Sequence, residues 1–126
     1  MALKFYRCKK CGQFVIVLKK TGCDMICCGE AMKELKAGEI EGSLEKHIPV
    51  MEVKGNRVDV VVGSTLHPMS EPHFIEWIVL ETKNGFQKRD LLPTDEPKAS
   101  FLLAEGDEVV ASYAYCNLHG LWKSNM

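Results

Sequence analysis

Five of the six cysteines in this 126-residue chain fall between residues 8 and 28, and this crowding constrains the fold more than any other feature. Thiols so close together form either disulfides or a metal site. The first residues carry no apolar segment with a small-residue cleavage site, so we expect a cytoplasmic protein, in which such a cluster binds metal. The cysteines therefore predict a small metal-stapled unit over residues 1–36, with disulfides as the weaker alternative.

Four of these cysteines are interpreted as the ligands of one metal: Cys8, Cys11, Cys27 and Cys28. The first two form a Cys-x-x-Cys pair, and Gly12 after them supplies the permissive backbone of a tight turn that points N–H groups at the sulfurs. The last two are adjacent, and Gly29 follows them as Gly12 follows the first pair. Cys23 paired with Cys27 or Cys28 is an open alternative. Adjacent ligands should distort a tetrahedral site, and spacing alone suits zinc and iron equally.

Downstream of a glycine-containing linker over residues 37–44, the chain reads as short strands separated by turn signals. The predicted strands cover residues 48–54, 57–63, 73–82, 86–92, 99–104 and 108–115, after one at 14–18 in the first unit. No ten-residue window has the period of an amphipathic helix. The pattern predicts a mainly β chain whose residues 45–126 form an antiparallel β-sandwich.

The composition excludes two classes of partner. The formal net charge is -1, so no strong basic field would attract nucleic acid. The apolar runs are only a few residues long, far short of the roughly 20 residues that span a membrane. We therefore expect a chain that binds neither nucleic acid nor a membrane.

All four histidines and the sixth cysteine fall at predicted strand ends or in loops: His47, His67, His73, Cys116 and His119. A sandwich clusters its functional side chains in such loops. Each histidine taken singly could be an ordinary surface residue, but the Cys-x-x-His spacing of the last two favours a joint site. Four imidazoles and one thiolate suit redox iron, and they also admit copper or nickel. Five donors are too many for tetrahedral zinc and leave one octahedral position open for a substrate.

Together these motifs resemble desulfoferrodoxin, the two-iron class of superoxide reductase, over nearly the whole chain. The resemblance rests on five segments: Cys8-x-x-Cys11 with Cys27-Cys28, Glu45-Lys46-His47-x-Pro49, His67-Pro68-Met69, His73 with Trp77, and Cys116-Asn117-x-His119-Gly120. Cys23 is the one departure, because the family pattern does not require it.

The resemblance implies a desulforedoxin-like domain over residues 1–36, with one iron on the four cysteines, and an immunoglobulin-like β-sandwich over residues 45–126. It implies a second iron in the sandwich, with four equatorial histidines, the axial thiolate of Cys116 and an open position opposite. That iron reduces superoxide by one electron to hydrogen peroxide. Backbone N–H groups of Leu118 and His119 are expected donors to the sulfur. The resemblance also implies a homodimer and a small rubredoxin-type electron donor.

Two charged residues precede the first histidine, and the resemblance gives both a part in the chemistry. Lys46 places a positive charge beside the open position, where it can attract superoxide and assist protonation through ordered water. Glu45 could then bind the oxidised iron as a resting ligand. The alternative for both is a solvated charge pair. For the whole chain, the alternatives are a non-catalytic electron-transfer protein and a structural zinc protein.

Overall fold

The computed structural model describes residues 3–126 and divides the chain into two compact units, one ending at Lys36 and the other beginning at Ala37. In both units the regular structure is almost entirely antiparallel strands, which confirms the predicted mainly β class. Among the described residues the only α-helix is four residues long, and none is long and apolar enough to cross a membrane.

The first unit contains five short strands: β1 (Lys4–Arg7), β2 (Phe14–Val17), β3 (Ile26–Cys27), β4 (Glu30–Ala31) and β5 (Lys33–Glu34). They form a three-stranded sheet in the order β2-β1-β5 and a separate β3–β4 hairpin. The sequence predicted only β2, because strands of two to four residues leave too little alternation to detect.

The second unit begins with a single helical turn, α1 (Leu44–His47), which is followed by seven strands. Their bounds are β6 (Pro49–Lys54), β7 (Arg57–Val62), β8 (Ile75–Thr82), β9 (Gly85–Asp90), β10 (Lys98–Leu102), β11 (Val109–Cys116) and β12 (Gly120–Asn125). One sheet has the order β10-β7-β6 and the other β12-β11-β8-β9. Neighbouring strands in both sheets are antiparallel.

The core of the second unit joins the two sheets. Val58, Val60 and Val62 of β7 have no exposed surface, and they belong to one buried cluster with Ile78 and Leu80 of β8. The alternation of these valines with residues that are not fully buried is the period-2 pattern that the sequence showed. Two sheets that share one core confirm the predicted β-sandwich.

Two elements near the metal-binding residues differ from the prediction. Residues 44–47 form the turn α1, because one turn is too short to display a helical period. The strands do not end at residue 115, since β12 pairs with β11 from Cys116↔Gly120 to Ala111↔Asn125. Glycine and asparagine are poor strand formers, which hid β12 in the sequence. His119 consequently lies in the loop of a hairpin and not after the last strand.

Candidate metal centres

Helix α1 ends at His47 and holds its ring in a defined orientation. The residue is 2% exposed, and Nδ1 donates to the carbonyl oxygen of Ser43, one turn back, at 2.6 Å. A carbonyl oxygen can only accept, so Nδ1 carries the proton of the neutral ring. Nε2 therefore keeps its lone pair for a metal.

The loop after β7 fixes His67 in the same way. Its Nδ1 donates to the carbonyl oxygen of Pro68 at 2.7 Å, and its Nε2 lies 3.2 Å from Nε2 of His47. In neutral rings both facing nitrogens are therefore acceptors. Two lone pairs at this distance repel each other unless a cation lies between them, so the pair fits a metal ion and not a hydrogen bond.

His73 and His119 complete a ring of four imidazoles. Nδ1 of His119 lies 3.0 Å from Nε2 of His47, and Nε2 of His73 is buried with no hydrogen-bond partner in the described chain. Neighbouring rings meet edge to face, with centroids 4.6 to 5.1 Å apart and planes 73 to 83° apart. His47 and His73 stand further apart, with centroids separated by 6.4 Å. This arrangement surrounds one point with nitrogen lone pairs.

Cys116 supplies a fifth donor from the end of β11. The residue is fully buried, and its Sγ lies 3.8 Å from Nδ1 of His119. The ligand atoms of His47, His67, His73 and Cys116 all lie within 4.8 Å of one another. Two ligands on opposite sides of one ion, each about 2.1 Å from it, would be roughly 4.2 Å apart, so these distances suit a single metal. We call the four histidines and Cys116 the histidine centre.

Burial sets the protonation state of these donors. It lowers the pKa of His47, and it lowers that of His67 to about 4, so both rings are neutral at pH 7, as metal ligands must be. Burial also raises the pKa of Cys116. Backbone N–H groups of His119 and Leu118 donate to the sulfur, as expected, and counteract that rise in the pKa.

The donor set of the histidine centre fits iron. Four neutral imidazoles and one thiolate combine intermediate and soft ligands, which suit redox-active metals. Five donors exceed the four of a structural zinc site, which is tetrahedral. The sequence singled out all five residues, and the structure brings their side chains together.

Trp122 and Gly42 form a wall beside two of the imidazoles. Trp122 of β12 is buried and stacks on His47, with ring centroids 4.9 Å apart. Its Nε1 donates to the carbonyl oxygen of His119 at 3.0 Å. A Cβ on Gly42 would come within 3.2 Å of side-chain atoms of His47, His119 and Trp122. In the sequence, Gly42 gave no signal beyond its place in a glycine-containing linker.

Glu45 and Lys46 lie on α1 directly before His47, and both are exposed. The backbone of α1 is held by the loop after β7, because Thr65 N donates to the carbonyl oxygen of Glu45 at 3.0 Å. The charge of Lys46 contributes, after burial, to the lowered pKa of both His47 and His73. Its ammonium group therefore lies within electrostatic reach of the imidazoles.

The cysteines of the first unit form a separate cluster, which we call the four-cysteine centre. The sulfurs of Cys8, Cys11, Cys27 and Cys28 all lie within 4.8 Å of one another. Gly12 and Gly29 both have a positive φ, 82° and 77°, as the repeated Cys-Gly pattern requires. Cys23 is exposed and stands outside the cluster. The structure thus favours the adjacent pair over the pairings that use Cys23.

The adjacent pair needs an unusual backbone and a cation. Cys28 has a φ of 52°, the one positive value at a non-glycine residue in the described chain. The N–H of Cys11 donates to Cys8 Sγ and lowers the pKa of Cys8 to about 6. Hydrogen bonds with Cys8 and Cys11 raise the pKa of Cys27 to about 12. The four thiols therefore resist ionising together, and a metal cation would relieve that repulsion.

Comparison with known proteins assigns both units to one family. The family model for desulfoferrodoxin matches residues 39–125, and the model for the desulfoferrodoxin N-terminal domain matches residues 2–35. The chain is 48% identical over 121 residues to the desulfoferrodoxin of Nitratidesulfovibrio vulgaris, covering 96% of this chain and 94% of that relative.

Solved structures give the same result. The superoxide reductase from Treponema pallidum matches with a TM-score of 0.84 and 36% identity, covering 98% of each chain. The superoxide reductase (1Fe-SOR) from Giardia intestinalis matches with a TM-score of 0.56 and 36% identity, covering 65% of this chain and 97% of that one. The similarity therefore extends from the sequence to the fold.

Proposed function

This chain belongs to the desulfoferrodoxin family, and on that basis we propose that it is a superoxide reductase. The reaction is the one-electron reduction of superoxide to hydrogen peroxide, which consumes two protons. The family has one iron on four cysteines and one on four histidines and a cysteine, and this chain provides both donor sets.

One observation carries the proposal: Nε2 of His47 and Nε2 of His67 face each other at 3.2 Å although neither bears a proton in the neutral ring. Such a contact fits two ligands of one metal ion, because neutral rings in these tautomers turn two lone pairs towards each other. The buried thiol of Cys116 completes a set of five donors. Five donors would leave an iron held there able to accept a small anion as well.

Iron held by the histidine centre would supply the electron that reduces superoxide. The thiolate of Cys116 would donate electron density to that iron, as a thiolate ligand does in haem enzymes. The N–H groups of Leu118 and His119 withdraw charge from the sulfur and so tune how strongly it donates. The burial of Cys116 keeps water from the sulfur.

We assign Lys46 the attraction of superoxide and the delivery of protons. The chain has a net charge of -1, so the attraction of an anion must come from local positive charge. Lys46 is exposed, and its charge reaches His47 and His73. An ammonium group there can donate a proton towards superoxide as it is reduced.

We assign Glu45 the role of a further carboxylate donor, which would bind the oxidised iron between turnovers. The backbone carbonyl oxygen of Glu45 accepts hydrogen bonds from Thr65 N at 3.0 Å and from Ser64 Oγ at 3.3 Å. These bonds fix the backbone from which the Glu45 side chain extends. A carboxylate oxygen is a hard donor and prefers the more highly charged ferric ion. Occupation by Glu45 would keep other anions out between turnovers.

Each turnover requires one electron from a partner. We propose a rubredoxin-type donor, a homodimer and a cytoplasmic location, all supported by membership of the family.

We also propose that residues 1–36 and 45–126 act as separate domains joined by residues 37–44. The division of the structure between Lys36 and Ala37 supports the first of these boundaries.

Replacing Cys116 with Ser tests the proposal. The variant should lose the sulfur-to-iron absorption of the histidine centre and its fast reaction with superoxide. The absorption of the four-cysteine centre should remain and serves as an internal control. If the sulfur-to-iron absorption of the histidine centre persisted in the variant, Cys116 would not be a ligand. Wild-type protein that stays inert towards superoxide after reconstitution with iron would favour electron transfer or a structural zinc role.

A further inference from the structure

The loop that carries His73 is held differently from the positions of His47 and His67. Those two rings are oriented by bonds from Nδ1 to the carbonyl oxygens of Ser43 and Pro68. Across residues 3–126 the structure records no such carbonyl bond from the His73 ring, and its buried Nε2 has no partner. The ring of His73 is therefore positioned by packing against the neighbouring imidazoles and through its backbone, whose N–H and carbonyl group both bond Ser70.

Asn117 provides the backbone attachment. Its Oδ1 accepts from Phe74 N at 2.9 Å, and its Nδ2 donates to the carbonyl oxygen of Pro72 at 3.1 Å. Its own backbone N–H donates to the carbonyl oxygen of Phe74 at 3.2 Å. One residue thus holds the chain on both sides of His73 by three hydrogen bonds.

We propose that Asn117 is a positioning residue that places His73 at the histidine centre and fixes it relative to Cys116. Asn117 follows Cys116 directly, so the residue that carries the axial sulfur and the loop that carries His73 are tied together at one point. This inference rests on the proposed iron site. It goes beyond it by assigning a role to a residue that touches no metal or substrate.

The chemistry of the amide explains why asparagine suits this position. The side chain at this position must accept a hydrogen bond from Phe74 N and also donate one to Pro72 O. An amide supplies both, whereas a carboxylate supplies only acceptors and a hydroxyl is too short to span the two. Loss of the side chain would leave Phe74 N without its acceptor and Pro72 O without its donor, while the backbone bonds between His73 and Ser70 would remain.

Asn117→Ala tests the role, with Asn56→Ala in the β6–β7 hairpin loop as the matched control. Interactions that orient metal ligands are typically worth about 10- to 100-fold in metal affinity, so we expect the histidine centre to lose iron to a chelator more readily by roughly that factor. The four-cysteine centre should keep its iron, and Asn56→Ala should change neither centre. The sulfur-to-iron band of the histidine centre should also shift.

A role in fold stability alone would give a different result. It would lower the unfolding temperature of the metal-free chain but leave the absorption band and the iron affinity of the folded protein unchanged. That outcome overturns the inference. If wild-type protein binds no iron at the histidine centre, the proposed function fails first, and the two failures are thereby distinguished.

A second measurement uses the unaltered chain and does not depend on the variant folding. In diamagnetic, zinc-loaded protein, the amide protons of Phe74 and Asn117 should exchange slowly with solvent and at a common rate. Exchange of the Phe74 amide as fast as that of Glu105, an exposed turn residue whose N–H has no recorded acceptor among residues 3–126, would show that the hydrogen bond to Asn117 is open in solution, and would contradict the proposal.

Discussion

The ring of His47 is constrained on several sides by neighbouring groups. The Ser43 carbonyl binds its Nδ1, Trp122 stacks on its face, and Gly42 lies against its Cε1 edge. Each contact restricts rotation of the ring, and together they fix the direction of the Nε2 lone pair. At the scale of residues, backbone carbonyl groups and side-chain packing therefore set the orientation of the donor atoms.

Gly42→Ala should disturb this orientation. The new Cβ would sit 3.2 Å from atoms of His47, His119 and Trp122, and these rigid neighbours surround it. Overpacking of this kind costs roughly 1–3 kcal/mol. We expect weaker iron retention and a shifted absorption band at the histidine centre. Gly85→Ala is the control, since nothing lies within 4 Å of its Cβ position. Two variants with identical spectra would show that the wall does not orient the rings.

Lys46→Ala should slow the bimolecular reaction with superoxide. A tenfold fall corresponds to about 1.4 kcal/mol of lost attraction and proton delivery, and we expect at least that much. Lys46→Arg should retain most of the rate constant. Lys54→Ala removes the same charge at the far end of β6 and should have little effect. Pulse radiolysis measures all three rate constants. If the two alanine variants changed the rate constant equally, Lys46 would be only a solvated surface charge.

The loop after β7 and helix α1 depend on each other at the scale of elements. Gly63 has a φ of 87°, and a Cβ there would lie 2.3 Å from the carbonyl oxygen of Thr65 and 2.9 Å from that of Glu45. Only glycine permits so close an approach of two backbone segments. The approach fixes α1 and hence His47, and Thr65 N completes it by bonding Glu45 O.

Gly63→Ala should therefore release α1 and the iron of the histidine centre. Gly106→Ala is a sharp control, because Gly106 has a similar φ of 81° but nothing within 4 Å of its Cβ position. The control should lose only about 1–2 kcal/mol of stability for its left-handed backbone and keep both irons. Calorimetry and metal analysis compare the two. Equal iron loss in both variants would mean that backbone strain, and not the clash with α1, is responsible.

Sequence reasoning succeeded where chemistry depends on residue type. Imidazoles and thiolates are distinctive ligands, so His67 and Cys116 could be assigned to one metal from their residue types, their places at predicted strand ends and the family resemblance. The carbonyl groups that orient those ligands belong to the backbone and have no residue signature. Helix α1 was missed because one turn shows no period, and β12 because its composition is not typical of a strand. Both determine where the ligands point.

At the scale of the whole molecule, the chain carries two metal centres in two compact units. Each unit contains all the donors of its own centre, four cysteines before Lys36 and the histidine centre after Ala37. Such a division predicts that the two metals are bound independently.

Replacing both Cys8 and Cys11 with Ser should remove only the four-cysteine centre. Two of its four thiolates are lost, so its absorption should disappear. The histidine centre should keep its iron and its rate constant with superoxide, because none of its donors changes. Visible spectra and superoxide kinetics on the same sample check both statements. Loss of superoxide reactivity would mean that the units depend on each other.

The central claim is that the histidine centre reduces superoxide and does not also oxidise it. The direct test is to mix the reduced, iron-counted protein anaerobically with superoxide and to measure hydrogen peroxide and oxygen together. A reductase forms one peroxide for each superoxide consumed and releases no oxygen, which is the result we predict. A dismutase would release one oxygen for each peroxide, and that result would contradict the account.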